Sequence, residues 1–223
     1  MSQREYPEFM LGGALPGASS ERKRRLLSVA FCRRAWHLLT QKRSRRAVEV
    51  AERYADGEAT PAELRAACAA AEQADHLDEG PIIWGGEVAG AALIAADRDP
   101  SPEDVAHIVA KSVGWSAART AAPDAGGANR TAERAERAVL CELVRDVLGN
   151  PFRSVAFSPE WRTETVRDLA ARMYESRDFG AMPILADALQ DAGCDSDDIL
   201  DHCRGPGPHV RGCWVVDLVL GNE

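Results

Sequence analysis

At 223 residues, with 45% apolar and 28% charged side chains, the chain has ordinary globular composition and can bury a core without disulfide or metal staples. Residues 1–20 lack the basic start and apolar run of an export signal. The best apolar window, 81–96, is too short for the roughly 20 residues of a membrane span and carries Glu87 and three glycines. The expectation is a soluble, cytoplasmic protein with no membrane partner, its six scattered cysteines reduced, since none stands in a C-x-x-C pair.

The net charge of −8 is unevenly placed. Residues 21–46 hold ten Lys/Arg and one acid, net +9, which leaves −17 on the rest of the chain.

Residues 1–18 read as a flexible N-terminal segment. From 19 to 40, Leu26, Leu27, Ala30, Phe31, Leu38 and Leu39 recur at helical spacing, with Ser19 or Ser20 as cap. A second helix is expected over 44–55, stopped by Gly57. Thr60-Pro61-Ala62-Glu63 is a capping box with proline at the first helical position, so an alanine-rich helix should run over 61–75. Three glycines weaken the next segment, 84–96, while allowing close approach to a neighbour. Ser101-Pro102-Glu103-Asp104 opens a helix over 102–121, and the Pro/Gly-rich stretch 123–129 reads as a linker.

Beyond it, helices are expected over 131–148, 163–175, 182–192 and 195–203, the last capped by Asp195. Residues 154–157 have the pattern of a short strand. Residues 210–220 are apolar nearly all round, and their company favours helix. The fold class expected is all-α: a compact multi-helix bundle, divisible into an N-terminal helical subdomain with a basic face (19–122) and a C-terminal one (130–223) bearing a Cys/His cluster.

That cluster, between Cys194 and Trp214, holds half the cysteines and two of the five histidines. Zinc needs donor atoms converging to roughly 2.0–2.3 Å from one ion. Cys194 lies too far along a helix from His202 to share an ion, and His202 and Cys203 project about 100° apart, so one of them is eligible rather than both. His209 and Cys213 are four residues apart, and the Gly-Pro-Gly-Pro turn can return Cys203 beside them. The zinc constellation expected is therefore Cys203, His209 and Cys213, against the alternative that these cysteines simply fill the core.

A cysteine nucleophile served by His209 and Asp217 fails on distance, because on one helix these two are about 12 Å apart. The aspartates of 187–201 miss the glycine and glutamate of a calcium loop and read as caps and solvated surface. Arg22, Lys23, Arg24, Arg25, Arg33, Arg34, Arg43, Arg45 and Arg46 form a candidate surface for nucleic acid or an acidic partner, or else face the protein's own acids. No phosphate-binding glycine loop and no common hydrolase motif occurs.

Two stretches, Arg33-Arg34-Ala35-Trp36-His37-Leu38-Leu39-Thr40 continuing through 44–57, and Pro183-Ile184-Leu185-Ala186-Asp187-Ala188-Leu189 through Gly221, resemble a paralogue-rich family of uncharacterised bacterial helical proteins. The resemblance implies a helical fold and brings no activity, cofactor or catalytic residue. The function expected first is an interaction or regulatory module without catalysis, binding a protein partner through the basic helices or a surface near Phe152 and Trp161. Nucleic-acid association is the second reading, and a zinc-binding or cysteine-dependent enzyme the third.

Overall fold

In a computed structural model, residues 10, 20–75, 85–121, 128–150, 153 and 155–222 are described. The expected segment 1–18 and linker 123–129 lie largely outside these residues. Among the described residues there are ten α-helices, one short 3-10 turn and no strand, so the fold is all-α. Residues 155–157 have no regular secondary structure and form no ladder, and Ser154 lies outside the described residues. No described helix is long and apolar enough to cross a membrane. The chain divides into two compact units, residues 1–144 and 145–223.

The first unit contains α1 (Glu21–Arg34), α2 (Lys42–Ala55), α3 (Pro61–Asp75), α4 (Gly85–Ala96), α5 (Pro102–Ala121) and most of α6 (Ala128–Leu148). Its helix starts follow local chemistry. Ser20 accepts from the Lys23 amide, and at α3 the Thr60 hydroxyl accepts from the Glu63 amide while the Glu63 carboxylate accepts from that of Thr60. Helix α1 ends at Arg34 rather than running to 40, because residues 35–38 form a turn that buries Ala35 and Leu39. Helices α1, α2 and α4 pack against one another, α3 joins α2 and α4, and α5 joins α1 and α4. Their shared interior is Leu26, Leu27, Phe31, Val48, Ala51 and the alanine face of α4. At Gly114 an added Cβ would stand 2.6 Å from the Glu133 backbone, so α5 and α6 touch where only glycine fits.

The second unit starts with the last turn of α6 and continues through the 3-10 turn Pro159–Trp161, α7 (Glu164–Ser176), α8 (Met182–Asp191), α9 (Asp197–Arg204) and α10 (Trp214–Leu220). Thr163 caps α7 by accepting from the Val166 amide. Helix α9 starts two residues later than expected: Ser196, not Asp195, is at its cap, and Asp197 and Asp198 supply the negative charge of its first turn. Helix α10 covers 214–220, while residues 211 and 212 turn and only then does the apolar run become helical. Helices α7 and α8, α8 and α9, α7 and α10, and α9 and α10 pack around Val166, Met173, Leu185, Leu189, Ile199, Cys203, Val215 and Val219.

Candidate metal centre

The site lies wholly within the second unit and draws on four separate pieces of chain. Asp146 comes from the last turn of α6, His202 from α9, His209 from the loop after it, and Cys213 from the residue before α10. One donor atom from each lies within 4.8 Å of every other. This is the one group of three or more such side chains that converges among the described residues.

Local geometry aims each donor. Gly149, at φ +65°, ends α6 with its amide donating to Arg145, and its missing side chain leaves room for the Trp214 ring 3.2 Å from where a Cβ would stand. The Trp214 ring in turn tilts against the His202 imidazole at 5.1 Å. The Val210 amide donates to Asp146 Oδ2 at 2.9 Å, which turns Oδ1 toward the histidines. His209 Nδ1 lies 2.7 Å from that Oδ1 and His202 Nε2 lies 3.2 Å from it. His202 Nε2 is also 3.2 Å from Cys213 Sγ. Gly207, at φ +75°, lies where an added Cβ would stand 3.3 Å from the His209 ring, so the loop turns there without a side chain.

Burial is deep and graded. Cys213 is fully buried, the Asp146 and His209 side chains are 2% and 8% exposed, and His202 is the most open at 18%. Burial opposes ionisation of Asp146, but hydrogen bonds and charge from His202 and His209 outweigh it, and its carboxyl is held below the usual range. Burial, reinforced by the Asp146 charge, pushes the Cys213 thiol well above its ordinary value. His209 Nε2 is buried and meets no hydrogen-bond partner among the described residues, an uncommon condition for a polar atom.

The arrangement fits a metal ion and does not fit a nucleophilic relay. In a relay the acid holds one imidazole nitrogen and the nucleophile faces the other. Here the same His202 nitrogen faces both Asp146 and Cys213, so the imidazole has no second nitrogen to pass a proton between them. Four donors at about 2.0–2.3 Å from a tetrahedral ion would stand about 3.3–3.8 Å from one another. Three of the pairs stand 2.7–3.2 Å apart, inside those edges, and all four donors lie within 4.8 Å of one another. A mixed nitrogen, oxygen and sulfur set suits zinc.

Of the expected zinc constellation, His209 and Cys213 come together and Cys203 does not join the group found among the described residues. Cys203 is buried in the core of the second unit, where burial raises its thiol to about 12. Its neighbour His202, about 100° further round the same helix, takes its place. His209 and Cys213 also meet in a different way from the one expected: they bracket a turn rather than share a helix face. Asp217, buried in α10, is not in the group. Asp146 went unnoticed in the sequence because it lies 56 residues before His202, with nothing local to mark it.

The basic stretch of the first unit is largely occupied internally. Arg22 pairs with Asp56, Arg24 with Asp99, Arg33 with the buried Glu52 through two hydrogen bonds, and Arg34 likewise with Glu136. Arg25, 1% exposed, donates to the carbonyls of Ala95 in the last turn of α4 and of Asp97 and Arg98 just beyond it, and pairs with Glu21. Arg45 donates to Leu39 and Trp36 carbonyls, and Arg46 lies 3.7 Å from Glu49. Lys23 also has a partner, and Arg43 is exposed. Phe152 lies outside the described residues. Trp161 is half-buried, edge-on to Phe157 at 5.4 Å and packed on the core of the second unit.

Compared with protein-family models, curated proteins and solved structures, the chain shows no match in any of the three.

Proposed function

We propose that the second unit is a zinc-binding helical module in which Asp146, His202, His209 and Cys213 hold one ion, and that the protein acts through interaction or regulation rather than catalysis. The observation that carries this reading is the convergence of four metal-type donors from four chain segments. All four positions of a tetrahedral ion would be taken by protein atoms, which is the closed arrangement of structural zinc rather than the open one of catalytic zinc. Six free thiols, five of them buried, suit a reducing compartment such as the cytoplasm. A protein partner is preferred to nucleic acid because so many arginines of the basic stretch already satisfy internal carboxylates and carbonyls.

Elemental analysis of protein purified without chelator tests the reading, together with titration of the metal-free protein by Co²⁺ as a zinc surrogate. One equivalent of metal and a tetrahedral cobalt spectrum with a thiolate charge-transfer band are expected. The band should vanish in C213S. Absence of stoichiometric metal, or a cobalt spectrum unchanged in C213S, would refute it.

A further inference from the structure

Resting on the zinc reading, we infer that occupancy of the centre controls the 205–213 segment, so that the ion acts as a clasp that holds or releases this loop. Two of the four donors, His209 and Cys213, belong to the segment, and the other two, Asp146 and His202, belong to the α-helices it lies against. The loop's anchors meet at the same place: His209 Nδ1 and the Val210 amide both engage the Asp146 carboxylate. Between these donors, Arg211 donates to the Tyr174 carbonyl at 2.8 Å and lies over the Tyr174 ring at 4.8 Å. Tyr174 is 8% exposed, so a loop that lifts off takes Arg211 with it and uncovers this end of α7.

Without the ion, the clasp would rest on hydrogen bonds around a buried carboxylate. With it, lifting the loop would require breaking two metal bonds. A ligand that binds only the closed form protects it by a factor of about 1 + [ion]/Kd, or about 100-fold at a free concentration of about 100 Kd. The neighbouring helices α7 and α8 keep their own apolar contacts and need not open. The control is therefore local to the loop.

Limited trypsin digestion of the full chain, with and without one equivalent of Zn²⁺, reads this directly. Arg204 and Arg211 offer cleavage sites within and beside the loop, while Arg167 and Arg172 in α7 report opening of the whole unit. Zinc stoichiometry is measured on the same samples. The expected result is one bound zinc, metal-free protein cut after Arg211 well before Arg167 or Arg172, and cleavage after Arg211 slowed by about 100-fold at about 100 Kd free zinc. If zinc binds but leaves Arg211 cleavage unaltered, or if metal-free protein is cut after Arg167 and Arg172 as fast as after Arg211, the clasp is refuted while the metal reading stands. If zinc does not bind, both fall together.

Discussion

Replacing Asp146 by Asn keeps the shape of the side chain and removes the charge on which three contacts depend. Oδ1 faces His209 Nδ1 at 2.7 Å and His202 Nε2 at 3.2 Å, and Oδ2 accepts from the Val210 amide at 2.9 Å. An amide presents an oxygen to one side only. Whichever way it is turned, its NH₂ group faces either the Val210 N–H, donor against donor, or the histidine pair, where it cannot serve as a metal ligand. With the carboxylate 2% exposed, the cost falls in the range for breaking a buried charged network, about 3–5 kcal/mol. Zinc affinity should fall by more than the 10–100-fold that loss of an outer-shell partner costs, because a direct ligand is lost. Urea denaturation followed by tryptophan fluorescence in a chain whose other four tryptophans are replaced by Phe measures the first effect, since the remaining Trp214 ring lies 5.1 Å from His202, and competition with a chromophoric chelator measures the second. A D146N protein within 1 kcal/mol of the parent that still binds one zinc tightly would refute the placement of Asp146 at the centre of this site.

Three further outcomes are expected. G207A should lower zinc affinity and cost about 1–2 kcal/mol, because φ is +75° there and the new Cβ would stand 3.1 Å from the His209 backbone nitrogen and 3.3 Å from its ring; chelator competition and urea melts check it. G114A should destabilise the first unit by about 1–3 kcal/mol, since a Cβ 2.6 Å from the Glu133 backbone must push α6 away; helix loss by circular dichroism on heating reads this. In metal-free protein, stability should decline as pH rises above the ordinary thiol value of 9.0, because burial raises Cys32 and Cys203 to about 12. The unfolded chain then gives up protons that the folded one keeps, so each such thiol removes about 1.4 kcal/mol by pH 10, and urea midpoints flat from pH 8 to 10 would contradict that burial.

Helix positions were legible wherever the determinant was local. The Thr60–Glu63 box, the Thr163 cap and the Ser20 cap stand at the expected helix starts, because a cap involves only the next three residues. The short strand expected at 154–157 failed for the converse reason. Its aromatic pattern matches a strand, but no partner strand exists among the described residues, and Phe157 instead packs edge-on to Trp161. In 210–220 the apolar run was correctly weighted toward helix, but its start at Trp214 depends on the Val210–Cys213 turn, which hydrophobic periodicity does not encode.

The metal centre divides along the same line. His209 and Cys213 were legible because they are near one another in sequence. The sequence alone leaves His202 and Cys203 equally eligible, and burial decides between them: the thiol, a small hydrophobe, sits fully buried in the core, and the partly exposed imidazole meets Asp146. Asp146 could be placed only by tertiary folding, since α6 delivers it from 56 residues upstream. Yet a trace was present in its surroundings. Asp146 lies in the last turn of an amphipathic helix, where a carboxylate opposes the helix dipole, so donating groups nearby must offset that position. A buried acid at the wrong end of a helix therefore calls for a partner, and two imidazoles with a thiol beside them are partners that a single zinc ion can unite.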